Sequence, residues 1–226
     1  MLGSIVHNEK VVNDLKNAGA KIISNLDDHS GDSPILFRAH GTVNKLWDEA
    51  KKRGMNIIDA TCPLVYEIHH EVKKLSQDGR LIIVIGDHNH DEVIAIADQA
   101  KDTIIISNPD EARKLRKIKK AGVVCQSTQA IENVRNIINI LMTKVFDLHF
   151  INTICFPTKR NHEQIKKIAD DHDIMIIIGS FISANSKRLT QLAKNKNKNV
   201  YQVTCAEDIN PKWFKNKASV GISAGA

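Results

Sequence analysis

The chain has 226 residues, a formal net charge of +6 and 42% apolar residues. That is enough for a buried core in one large domain or two to three small ones. No stretch reaches the roughly 18–20 apolar residues of a membrane span, and Met1 to Val6 lacks the basic-then-apolar pattern of a signal peptide. The positive charge lies in exposed stretches such as "KNKNKN" (194–199), and aromatics make up 4%, so base-stacking platforms are scarce and no nucleic-acid partner is expected.

Short β-branched runs recur in chain order: "KIISNL" (21–26), "PILF" (34–37), "NIIDAT" (56–61), "LIIVIG" (81–86), "TIIIS" (103–107), "GVVCQ" (122–126), "IMIIIG" (174–179), "NVYQVT" (199–204) and "SVGIS" (219–223). Most are apolar on both faces, as strands of a parallel sheet covered by helices are. Amphipathic helical stretches lie between them. "EKVVNDLKNAG" puts Val11, Val12 and Leu15 on one side and ends on Gly19. "NPDEARKL" carries Asn108 as cap, Pro109 at the first helical position and Glu111 at the third, a helix-start signature. The alternation predicts an α/β fold.

A weaker periodicity adds detail. "GSIVHNEKVVNDL…ILFRAHGT", "GDHNHDEVIAIAD…GVVCQST" and "GSFISANSKRLTQLA…SVGISAG" share one plan: a strand ending near Gly, a polar loop, a helix, and later a strand ending in small polar residues. His7, His90 and Asn185 fall at equivalent places before a helix. His40-Gly41, Ser127-Thr128 and Ser223-Ala224 fall at the later strand end. Three similar α/β units with small parallel sheets, in a pseudo-threefold trefoil around a central site, are therefore expected, with boundaries at 1–62, 63–151 and 152–226.

Four cysteines are spread widely along the chain, which suits a reducing compartment and metal-binding or catalytic use. Cys62 in "DATCPLV" and Cys155 in "NTICFPTKRN" are repeat-equivalent, each at a strand end and just before a helix, where a thiolate is favoured. Cys62 precedes His90 by 28 residues and Cys155 precedes Asn185 by 30. By the same repeat a third cysteine belongs ahead of Met1, so the chain is read as cut at both ends. Three symmetric thiolates would suit a [4Fe–4S] cluster with one open iron. On spacing alone, two buried core cysteines are the favoured reading. Taken singly, His7 and His40 are better read as helix or turn caps, and Glu92 suits a first-turn acid facing the helix dipole. His69 and His70 read as a helix surface and His88 as solvent-facing. A zinc hydrolase is disfavoured, because neither an HExxH helix nor a close Cys/His pair is present.

Taken together and in order, "VHNEKVV", "AHGT", "DATCPLV", "GDHNHDEV", "ICFPTKRN", "GSFISANSKRL" and "GISAGA" resemble the 4-hydroxy-3-methylbut-2-enyl diphosphate reductase family over nearly the whole chain. The resemblance implies a trefoil with a central [4Fe–4S] cluster on three cysteines. It implies reductive removal of the allylic hydroxyl to give isopentenyl and dimethylallyl diphosphate, with electrons from ferredoxin or flavodoxin. It makes Cys62 and Cys155 two of the metal ligands, the third lying in a "GFCAGV" motif that this chain lacks. His7, His40 and His90 would surround the diphosphate, helped by Ser127, Thr128, Ser183 and Asn185. Glu92, with His90, would deliver the proton. A cytoplasmic (or plastid-type) monomer acting on a small molecule is expected. The alternative is an inactive, cluster-free diphosphate-binding fragment of that enzyme. The departures are Ser127 for the family's Thr, Ala184 for a Ser, "HDE" for His-Pro-Glu, Cys125 for a Thr, and a serine expected after Ala226.

Overall fold

The computed structural model describes residues 1–225. The fold is α/β, as the alternation predicts, and every strand pairing within its three sheets is parallel. Backbone packing divides the chain into two compact units. Residues 1–6 and 10–154 form the first, and residues 7–9 with those from 155 onward form the second.

The first helix in the chain is α1 (Glu9–Asn17), of which only Val12 is buried; Val11, predicted on the same apolar side, faces out. A two-stranded sheet follows, β1 (Ile35–Phe37) beside β2 (Ile57–Asp59), with α2 (Asn44–Lys52) between them in sequence. Leu2, Leu26, Ile35, Phe37 and Ala50 make its core, and Trp47 packs edge-on against Phe37 at 4.8 Å.

The unit continues as α3 (Pro63–Gln77), β3 (Leu81–Ile85), α4 (Asp91–Ala97), β4 (Thr103–Ile106), α5 (Pro109–Lys114), β5 (Ile118–Cys125), α6 (Ile131–Leu141) and β6 (Val145–Phe150). The strands order as β4-β3-β5-β6. Side chains alternate across a strand, so Ile82 and Val84 meet Ile68, Val72 and Leu75 of α3 and Val93 and Ile96 of α4. Ile83 and Ile85 turn the other way, onto Ala112 of α5 and Val134, Ile137 and Leu141 of α6. A strand covered on both faces has no use for polar positions, which is why these runs read as continuously apolar. Asn108 caps α5 as its signature predicts, accepting from the Glu111 amide at 3.1 Å.

The second unit has α7 (Phe156–Asp171), β7 (Ile174–Ile178), α8 (Ala184–Lys194), β8 (Val200–Val203) and β9 (Val220–Ala224), with strand order β8-β7-β9. Helices α7 and α8 cover one face through Ile165, Ala169, Leu189 and Ala193. The other face, Ile174, Ile176 and Val203, is closed by the segment carrying Trp213, whose ring stacks on Tyr201 at 3.9 Å.

Two elements differ from expectation. "KIISNL" forms no strand: Ile23 makes a single parallel bridge to Leu2, and Leu26 already opens a 3-10 turn whose Asp28 side chain accepts from the Asn25 amide. The edge strand β6 went unread because "VFDLHF" carries Asp147 and His149 on one face and so is not a continuous apolar run. Its Phe146 is 91% exposed.

Candidate functional site

Parallel strands open their crevices at their carboxyl ends, and the register of β3 and β5 places two loops together there. Ile85 stands opposite Cys125, so Gly86 and Gln126 lie side by side. The contact is close: a Cβ on Gly86 would come within 2.5 Å of Val93 Cγ2 and 3.1 Å of Gln126 Cβ. Gln126 accepts the Asp87 amide at 3.1 Å, which fixes the loop leading into α4.

His90 is the N-cap of α4, and its Nδ1 accepts the Glu92 amide at 3.2 Å. An accepting Nδ1 puts the imidazole proton on Nε2, a donor. Glu92 is only 2% exposed. Its Oε1 accepts the Ser127 amide at 2.6 Å and its Oε2 the Ser127 hydroxyl at 2.9 Å. This is more than a first-turn acid facing a dipole: it is a buried carboxylate held by both donors of one residue 35 positions away. Thr128 follows, half-buried, in the same turn.

The β1 loop joins this group. The rings of His40 and His90 meet edge to face with centroids 5.4 Å apart. Arg38, two residues before His40, pairs with Asp91, the residue after His90. The Cys62 amide donates to Ala39 at 3.0 Å. Cys62 is the N-cap of α3, with Pro63 at its first position.

The remaining sequence-predicted residues belong to the second unit. Cys155 is the N-cap of α7 with Pro157 in the first turn, and its Sγ lies 2.9 Å from Thr158 Oγ1. Ser183 caps α8, accepting the Ser186 amide at 3.3 Å, and Asn185 is buried in the first turn. His7 is half-buried in the loop before α1. Two residues on, Glu9 accepts the Ser180 hydroxyl at 2.6 Å. None of the four cysteines is in a disulfide. Cys125 is sealed in the core of the four-stranded sheet, and Cys205 is exposed at the start of a 3-10 turn.

His69 departs from the reading of a helix surface. It is 6% exposed, while His70 beside it faces outward. The reason is Gly41: with φ +89° it lets the His40 loop turn tightly, and a Cβ there would come within 3.1 Å of His69 Cε1. The apolar stripe of α3, Val65, Ile68, Val72 and Leu75, has the helical spacing in which position 69 also faces inward, so the signal was present in the sequence. Burial, helped by Lys73 and opposed by Asp98 and Asp59, pushes the His69 pKa down to about 4. Between the ordinary value near 6.5 and about 4, the unfolded chain binds a proton that the folded chain refuses. Stability is thus fully present above pH 6.5 and is lost as pH falls through this window. In chemical denaturation, the native chain is expected to lose about 1–2 kcal/mol more than His69→Gln between pH 7.5 and pH 5; equal losses would clear His69 of the effect.

The sequence matches the family described as "LytB protein" over residues 1–226. The chain belongs to the LytB family. It is 37% identical over 226 residues to 4-hydroxy-3-methylbut-2-enyl diphosphate reductase of Geotalea uraniireducens and 35% identical to that of Geobacter sulfurreducens. In both cases the match covers 100% of this chain and 80% of the relative. Among solved structures, E-1-hydroxy-2-methyl-but-2-enyl-4-diphosphate reductase from Plasmodium falciparum superposes with a TM-score of 0.94 at 30% identity, covering 99% of this chain and 72% of that one. The LytB relationship accounts for the small parallel sheets. No helix among the described residues is long and apolar enough to cross a membrane.

Proposed function

We propose that this chain acts as a 4-hydroxy-3-methylbut-2-enyl diphosphate reductase of isoprenoid biosynthesis. It replaces the allylic hydroxyl of its substrate by hydrogen, using two electrons and two protons and releasing water, to yield isopentenyl and dimethylallyl diphosphate. The observation that carries the reading is the buried Glu92 carboxylate, locked by Ser127 and flanked by a His90 whose Nε2 bears the proton. A carboxyl group in a closed site is suited to hand a proton to a departing hydroxyl, and an imidazole Nε2–H is suited to a phosphate oxygen. His40 would share the phosphate with His90, and His7, Thr128, Ser183 and Asn185 would supply further donors. Ser127 would hold Glu92 in place. Closure around the substrate would keep water from competing for the proton.

The family resemblance implies a [4Fe–4S] cluster, and the donors fit it in part. Cys62 and Cys155 are half-buried free thiols at helix starts, the setting that favours thiolates. Among the described residues no third cysteine has this placement. Cys62 and Cys155 would therefore hold two positions of a three-thiolate set. When bound, the cluster supplies the electrons and a Lewis-acid contact to the hydroxyl. A ferredoxin or flavodoxin is proposed as the donor to a cytoplasmic or plastid-type monomer.

The test is anaerobic reconstitution of the protein as its gene encodes it, followed by oxidation of a reduced viologen on addition of the substrate. Broad visible absorbance and substrate-dependent oxidation are expected, both lost in Cys62→Ser and Cys155→Ser. Saturable diphosphate binding without any oxidation would instead establish the cluster-free binding fragment.

A further inference from the structure

A basic corner of the first unit lies at the opposite end of the four-stranded sheet from the residues just described. From the end of α5 into β5 the chain reads "RKLRKIKK", six basic residues in the eight from Arg113 to Lys120. Beside it, the turn from α6 into β6 carries Met142 and Phe146, 61% and 91% exposed. We propose that this corner is a membrane-docking surface that seats the protein on an anionic lipid bilayer.

The two segments make one surface because hydrogen bonds tie them together. Lys144 Nζ donates to the Arg113 and Leu115 carbonyls at 2.6 and 2.7 Å, and the Ile118 amide donates to the Lys144 carbonyl at 2.9 Å. Strands β5 and β6 then pair Ile118 with Val145 and Lys120 with Asp147. Lys119 therefore stands beside Phe146, on the same face of the sheet.

The charge of this corner is not balanced from within. Arg113 pairs with Asp110, and Lys120 with Asp78 at 3.3 Å. Lys114, Arg116, Lys117 and Lys119 are exposed and make no ion pair among the described residues. The nearby acids are already engaged. Glu111 accepts the Ser107 amide and hydroxyl, each at 2.8 Å, and Asp147 pairs with Arg80 at 2.9 Å. Four uncompensated cations in six residues are drawn to the negative surface potential of an anionic leaflet.

Two features favour lipid over an acidic protein. Three of the four cations are lysines, flexible point charges that suit a fluid array of phosphates, whereas fixed carboxylates favour the arginine fork. The bare Phe146 ring would enter the acyl boundary while the lysine stems spread along it with their ammonium groups at the phosphates. Position also matters. Ile118 and Cys125 are the two ends of β5, roughly 23 Å apart at about 3.3 Å per residue. Docking at this end leaves the Glu92 and Ser127 loops facing water, and an electron carrier serving those loops would dock at the other end.

Cosedimentation of the full chain with vesicles tests the assignment. Saturable binding is expected to equal parts phosphatidylglycerol and phosphatidylcholine, weakened at least about tenfold by salt at about 0.5 M. Phosphatidylcholine alone should bind nothing. Lys117→Glu with Lys119→Glu should weaken binding to the mixed vesicles at least about tenfold, and Phe146→Ser about tenfold. Lys212→Glu with Lys215→Glu makes the same change of charge in the second unit and should alter binding less than about twofold. All five side chains are exposed, so the fold should tolerate these changes. No binding to the mixed vesicles, undiminished binding in either of the first two variants, or an equal loss in the Lys212 and Lys215 pair would each overturn the docking surface. Binding of polyglutamate without binding of vesicles would assign the corner to an acidic protein and overturn it as well. None of these readouts depends on reductase activity.

Discussion

Glu92→Gln is expected to lower turnover by at least about 100-fold while leaving the folded structure and diphosphate affinity near native. The argument rests on what glutamine keeps. Its carbonyl oxygen can still accept the Ser127 amide, and its NH2 can donate to the Ser127 hydroxyl, so the two bonds that anchor Glu92 survive with one reversed. What disappears is the ability to carry a proton. Because Glu92 is nearly fully buried, no bulk water stands ready to replace it. The comparison to make is single-turnover rate against substrate affinity in the reconstituted protein. A drop in rate at constant affinity places Glu92 in proton delivery. A rate within a few fold of native removes it from that role. A parallel fall in thermal stability would mark the residue as mainly a strut for the β5 loop.

The largest effect on stability is expected at Gly179, the residue after β7. A Cβ there would fall 2.2 Å from Ser186 Oγ and 2.9 Å from Ser186 Cβ. Ser186 is fully buried in the first turn of α8. Rotating the hydroxyl away relieves the first clash but not the second. Gly225 presses on the same residue: a Cβ there would lie 3.0 Å from Ser186 Cα. The strand end and the helix start therefore have no slack, and Gly179→Ala should cost about 3 kcal/mol. In a chain of this size that lowers Tm by roughly 6–12 °C. Pairing it with Ser186→Gly removes both clashing atoms, so the double variant should recover most of the loss. Strictly additive losses would show that the contact is not the cause.

The consequence for function is direct. Ser183 and Asn185 sit on the same turn as Ser186, so the packing that holds the helix start also holds these two polar groups.

Much of this was legible in the sequence, and for identifiable reasons. Runs such as "LIIVI" declare themselves as covered strands because both faces must be apolar. The prolines after Cys62 and Cys155 mark helix starts, and both cysteines do stand at N-cap positions. Asn108 announces its cap because the geometry involves only the next three residues. These features are local, set by backbone sterics and short-range periodicity.

What escaped the sequence depends on contacts between distant segments. Strand β6 is half-polar because it lies at a sheet edge, a fact that follows from strand order rather than from its own residues. His69 looked like surface because histidine usually does; its burial is decided by a glycine 28 residues earlier that lets the His40 loop lie against it. Glu92 could be placed on a helix start from sequence, but its partner Ser127 arrives through the pairing of β3 with β5. The sequence by itself determined most of the elements, the cysteines at helix starts and the family. Only the tertiary structure decided which polar groups are buried and what meets them, because burial and hydrogen bonding are properties of neighbours that chain order does not fix.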